Sequence, residues 1–185
     1  MNNSDLLHEL SKSVSQCKRC PLYKTAIHAV PGEGNSKTKI MFVGEAPGRF
    51  EDESGRPFIG RAGKLLTELL VSIGIDRNDV FITSVIKHRP PKNRFPKPDE
   101  IKTCSFWLEK QLTIINPQII VTLGKLALDY FLVNKKISLV HGTINQEKGR
   151  IIFPVYHPAA GLRSTRNKNK LFEDFQKLSQ VLNKI

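Results

Sequence analysis

The sequence has no apolar run long enough to cross a bilayer, which excludes an ordinary spanning helix. Its first residues, MNNSDLLHELSKSVSQ, lack the patterns of a signal or transit peptide, so the chain is expected to stay in the cytoplasm. Internal repeats, low-complexity tracts and linkers are missing, and 185 residues suit one domain spanning 1–185. Cysteine is scarce: Cys17, Cys20 and Cys104 are the only three. An odd number, two of them in a Cys-x-x-Cys pair, argues against a disulfide framework and for metal or redox chemistry. Acidic residues are also few, 17 Asp and Glu against 29 Lys and Arg, for a net charge of +12. That surplus fits a polyanionic partner such as nucleic acid, or a basic soluble protein without one. Nothing in the pattern calls for an oligomer or a membrane, so a monomer is expected.

What is present is an alternation of strands and helices. Leu6, Leu7, Leu10 and Val14 recur at helical spacing in 4–15, with Ser4 as the expected N-cap. CKRCPLYK then forms a compact turn. KIMFVG (39–44), VFITSVI (80–86), QIIVTLG (118–124) and RIIFPVYH (150–157) are short apolar or β-branched runs that read as strands. Helices are expected at 60–74, closed by Gly74, at 99–115, just after strand 118–124, and at 167–182. The prolines of HRPPKNRFPKP (88–98) forbid regular structure there. This order implies an α/β fold with a parallel sheet covered on both faces. Ligands bind such sheets beyond the strand C-termini.

GEAPGRFED follows the first strand, and HPAAGLRS the fourth. Each alone reads as easily as an ordinary strand-to-helix turn and a satisfied histidine. Together with GRPFIGRAGKLL, ITSVIKHRPPKNR and IIVTLG, in this order, they resemble the motifs of the family 4, iron–sulfur uracil-DNA glycosylases. The resemblance runs from Cys17 to the C-terminal helix. It implies a three-layer α/β/α sandwich around a four-stranded parallel sheet. It implies a DNA-repair enzyme that flips a deaminated base out of single- or double-stranded DNA and hydrolyses its N-glycosidic bond, with no cofactor in the chemical step.

The resemblance also assigns roles. Phe58 matches the aromatic that stacks on the flipped base, although a Phe between Pro57 and Ile59 is also a natural core residue. His157 matches the donor to uracil O2, where charge builds as the bond breaks. Glu45 and the backbone at Ala46 match the first catalytic motif. The carboxylate either stabilises an oxocarbenium-like sugar or holds the attacking water. Leu162 is a wedge into the emptied stack or a core residue, and Arg163 a phosphate contact. Lys87, Arg89, Lys92, Arg94 and Lys97 in the Pro-rich loop, with Arg166, Lys168 and Lys170 beside Arg163, form two basic runs expected to face DNA.

Two departures stand out. Ser84 stands where the family carries the base-reading Asn, and a hydroxyl cannot offer both the acceptor and the donor of an amide at that reach. Uracil excision could be weakened, the lesion could be hypoxanthine or xanthine, or the protein could bind lesions without cutting them. His88 stands where the fourth cluster cysteine is expected. With Cys17, Cys20 and Cys104 it would complete a [4Fe–4S] set. Cys3His is also a zinc set, and a free His88 facing DNA is the third reading. The long His-bearing insertion of a covalent-trapping member of the superfamily is absent after the second strand.

Overall fold

The computed structural model describes residues 2–184. The four expected strands form a parallel centre: β2 (Ile40–Gly44), β3 (Phe81–Ser84), β4 (Ile119–Leu123) and β6 (Arg150–Val155). The sheet is wider than the expected four. Two short antiparallel strands, β1 (Glu33–Gly34) and β5 (Asn145–Glu147), close its edges, giving the order β1-β3-β2-β4-β6-β5. Short paired edges leave few free backbone groups to recruit another strand.

Strand alternation divides the core into two layers. Met41, Val43, Phe81 and Ile120 turn to one face and pack with Leu7, Val14, Leu108, Leu112, Leu126 and Leu128. These come from α1 (Asn3–Ser15), α4 (Pro98–Ile115) and α5 (Lys125–Phe131). Ile40, Phe42, Ile82, Val121 and Phe153 turn to the other face. They meet Leu66, Leu69, Leu70, Leu171, Phe175 and Leu178 of α3 (Arg61–Val71) and α8 (Thr165–Leu182). Period-two strands between two helix layers make the three-layer sandwich.

Local chemistry sets the ends. Asn2, two residues earlier than Ser4, caps α1, and the Asp5 carboxylate accepts the Asn2 N–H in return. Pro98 opens α4, and Asn116 closes it in the left-handed region at φ 48°. α3 ends at Val71, before Gly74. Three further short helices, α2 (Arg49–Ser54), α6 (Ile137–Val140) and α7 (Pro158–Arg163), occupy connections. The chain crosses from β2 to β3 on one side and later to β4 on the other. The strand order therefore reverses at β2, which places a crevice at its C-terminal end.

Candidate active site

The crevice holds a cavity of about 470 Å³, within the range for small-ligand sites. Glu45, Ala46, Phe58, Ser84, His157 and Arg163, all expected from sequence, line it. Gly44 and Ser84 lie in register at the ends of β2 and β3. A Cβ on Gly44 would fall 2.5 Å from Phe58 Cζ, so only glycine lets the Phe58 ring lie on the strand end. Phe58 is thus a buried residue of the cavity wall rather than of the core alone. Its φ of 50° is unusual for a bulky side chain.

Glu51 holds that conformation. Its carboxylate accepts the N–H groups of Ile59 (3.0 Å) and Gly60 (2.9 Å) on one oxygen and of Gly48 (3.1 Å) on the other. Sequence reasoning missed this residue, since one acid in GRFED looks like any other. Glu51→Gln offers an N–H2 to a backbone N–H that needs an acceptor. We expect it to lower unfolding free energy by about 1–3 kcal/mol, read by urea denaturation, and to raise KM for substrate through the displaced Phe58 ring.

His157 follows β6 and caps α7. Its Nδ1 accepts the Ala159 N–H at 3.1 Å, which puts the ring proton on Nε2. Gly124, at φ 91°, again makes room: a Cβ there would sit 2.9 Å from His157 Cβ. The His157 and Phe58 ring centroids are 5.7 Å apart at 30°. Burial, followed by a raising effect of Glu51 and a lowering one of Arg163, pushes the imidazole down to about 4. The ring is therefore a neutral donor at ordinary pH. Burial raises the Glu45 carboxyl. Asn93 also lines the cavity, its Oδ1 taken by Arg89 Nε at 2.7 Å.

The two basic runs fare differently. Arg163, Arg166 and Lys168 are exposed on α7 and α8, as is Leu162 at 41%, which rules out core packing for that leucine. Lys170 lies against the Tyr156 ring. In the Pro-rich loop, by contrast, Arg89 is engaged with Asn93 and, at 4.0 Å, with Asp52. Arg94 forms a two-pronged pair with buried Glu100 at 2.6 and 2.8 Å. Lys87 is fully buried. Its Nζ donates to Thr83 Oγ1 (2.6 Å), Ser84 O (2.7 Å) and Gln111 Oε1 (2.8 Å), and burial pushes it down to about 7. Lys87 therefore fixes the strand end that carries Ser84 instead of facing DNA. Lys92 and Lys97 remain exposed.

Cys17, Cys20 and Cys104 are buried, unbridged, and outside the cavity lining. Cys17 Sγ accepts the Trp107 indole N–H at 3.1 Å, and Cys104 Sγ the Lys87 N–H at 3.2 Å. Burial pushes the Cys104 thiol up to about 11, with Cys20 and Cys17 adding to the rise. His88 is buried too, and its Nδ1 has no hydrogen-bond partner. Such an orphaned nitrogen and three buried thiols are a donor set suited to a soft metal group. Among the described residues, no three His, Cys, Asp or Glu side chains form a cage for a single metal ion.

A parallel α/β sheet with an aromatic, a neutral histidine and a desolvated carboxyl converging on one cavity beyond its strand ends has the layout of an α/β enzyme site. The chain belongs to the uracil DNA glycosylase superfamily, whose profile matches residues 31–182. It is 46% identical to a type-4 uracil-DNA glycosylase of Sulfurisphaera tokodaii, covering 96% of this chain and 85% of that protein. It is 45% identical to those of Saccharolobus solfataricus (98% and 88%) and Thermotoga maritima (97% and 96%). Among the described residues no helix is long and apolar enough to cross a membrane.

Proposed function

We propose that this chain is a monofunctional DNA-repair glycosylase that draws a uracil nucleotide out of DNA and hydrolyses its N-glycosidic bond, leaving an abasic site. We read it as one domain acting as an intracellular monomer. The observation that carries the reading is the convergence of Glu45, Phe58 and His157 on one cavity. A catalytically silent lesion binder has no need of that convergence.

Phe58 stacks on the extruded base and offsets the cost of unstacking it. As the bond from C1′ to the base nitrogen breaks, its electron pair moves into the uracil ring and out to O2. The Nε2–H of His157 donates to that oxygen, and a neutral donor does so without having to be reprotonated. Water adds to C1′ on the opposite side and loses a proton, and the departing uracil anion takes up a proton, so the products are free uracil and the abasic sugar. Glu45 either holds that water or faces the positive sugar; in both roles a poorly solvated carboxylate interacts strongly with charge. Arg163, Arg166 and Lys168 contact phosphates, and Leu162 fills the vacated stack.

Cys17, Cys20, Cys104 and His88 are proposed to hold a [4Fe–4S] cluster, with zinc as the alternative. The three buried thiols and the orphaned His88 nitrogen support a metal group there. Bound there, the group would cross-link the segment after α1, His88 and α4; the four residues that would hold it lie outside the cavity lining. Iron and acid-labile sulfide in stoichiometric amounts in anaerobically purified protein are the expected result, and stoichiometric zinc without sulfide would establish the alternative.

The function is tested by excision from matched oligonucleotides carrying uracil, hypoxanthine or xanthine, single- and double-stranded. Uracil release leaving an alkali-labile site is expected, reduced about tenfold or more in Glu45→Gln. Ser84 favours keeping the second reading open, because its short hydroxyl is all that strand β3 presents to the base. Release of hypoxanthine or xanthine without uracil would establish it.

A further inference from the structure

Two aromatic rings stand in solvent beside the cavity mouth. Phe50 is 53% exposed and Phe95 54% exposed. Phe50 lies on α2 between Gly48 and Glu51, which both line the cavity; Phe95 directly follows the cavity residues Asn93 and Arg94. The third exposed aromatic among the described residues, Phe106, is covered by Trp107 and the cations of Arg19 and Lys110. Among the described residues, no ring and no cation lies against Phe50 or Phe95. Single exposed apolar side chains are ordinary, Leu139 at 75% among them; two uncovered phenyl rings on segments that line one polar cavity are a candidate contact surface.

Both rings are seated. A Cβ on Gly60 would lie 3.0 Å from Phe50 Cδ2, so one side of the ring rests on the bare backbone of residue 60 while the rest stays open. The Phe95 carbonyl accepts from Arg94 Nη1 at 3.1 Å, and buried Pro96 restricts the backbone of the residue before it. Arg89 ties the two supports together, reaching Asn93 in the loop and Asp52 on α2. Both signs of charge lie near the rings, but Glu53 of α2 is paired with Arg49 and Asp52 with Arg89, whereas Arg61, Lys92, Lys97 and Arg163 are exposed, without an ion pair among the described residues, on the segments that carry or adjoin the cavity lining.

We propose that Phe50 and Phe95 are stacking platforms for the unpaired bases that flank the extruded nucleotide, and that they favour single-stranded over duplex substrate. Flat apolar rings set among cations are the surface that single-stranded nucleic acid recognises, because every base has a π-face and every nucleotide a phosphate. Bases inside a duplex already stack on their neighbours and have no free face for a protein ring. The inference rests on the glycosylase reading of the adjoining cavity and adds a subsite to it.

The test uses the intact protein with uracil-containing oligonucleotides, single-stranded and as matched duplexes. A single strand carrying a tetrahydrofuran abasic analogue serves as the binding probe. Phe50→Ala and Phe95→Ala are each expected to weaken binding of the single strand and raise its KM about tenfold, with the double variant compounding the loss. The loss falls on KM rather than kcat, and duplex values hold. Phe50→Trp and Phe95→Trp retain wild-type binding, whereas Phe50→Leu and Phe95→Leu behave like alanine. Leu139→Ala, an exposed apolar change elsewhere, serves as the control and leaves both substrates unaffected. Equal losses on single strand and duplex, or no loss on either, would overturn the proposal. Wild-type protein that binds single strands through the two rings but releases no base would overturn the catalytic reading of the cavity and leave this subsite standing.

Discussion

Replacing His157 by alanine is expected to lower kcat for uracil release by about 10²- to 10³-fold, the usual cost of removing one donor to a developing oxyanion. KM should change far less, because the hydrogen bond strengthens only as charge reaches O2. His157→Asn, which can return one N–H, should recover part of the loss. The pH profile gives an independent check. An imidazole at its ordinary value near 6.5 would put a limb in the rate across neutrality. Here burial pushes His157 down to about 4, and its Nδ1 is occupied by the Ala159 N–H. The ring stays neutral from pH 5 to 8, and no limb from this group is expected in that window. A wild-type limb near 6.5 that vanishes in His157→Ala would contradict the neutral-donor reading.

The same group links pH to stability. In the unfolded chain the imidazole takes up its proton near 6.5, while the folded protein resists until about 4. Between those values the unfolded state binds more protons, so stability falls as pH drops through the window. His157 thus contributes stability above 6.5 that is lost on acidification. Chemical denaturation at several pH values should show that loss diminished in His157→Ala.

How much of this was legible in the sequence depended on the range of the interaction. The four central strands announced themselves as apolar runs, because both their faces are buried. β1 and β5 span two and three residues and carry no periodicity to read. Glu45, Phe58, Ser84 and His157 were found because they stand in motifs that resemble those of a known family; Glu45 and His157 follow strands, whereas Ser84 ends β3 and Phe58 lies between α2 and α3. Glu51 and Asn93 were missed although they lie in the same segments, since their roles depend on partners that only folding supplies. Lys87 shows the limit most plainly. One basic residue in a basic run reads as surface, and its burial depends on acceptors from Thr83 and Gln111, the latter 24 positions away. The pairing of Arg94 was hidden for the same reason, its partner Glu100 lying on α4.

Ser84→Asn is expected to raise kcat/KM for uracil by roughly tenfold to a hundredfold, corresponding to about 1–3 kcal/mol for a specific base contact. The backbone at this position is already fixed: Lys87 Nζ donates to the Ser84 carbonyl, and Ser84 pairs in register with Gly44. A longer side chain there extends into the cavity rather than into packed core, because Ser84 is part of its lining. The amide presents its oxygen to uracil N3–H and its nitrogen to O4, two contacts that one short hydroxyl cannot make together. Cytosine offers the reverse pattern, so the gain is selective and excision of cytosine should not rise with it. Wild type is still expected to turn over uracil, because the stacking and leaving-group stabilisation proposed for Phe58 and His157 do not depend on residue 84. A folded Ser84→Asn variant with lower uracil activity would show that residue 84 does not read the base, and that selectivity comes from the shape of the wall built by Gly44, Phe58 and His157.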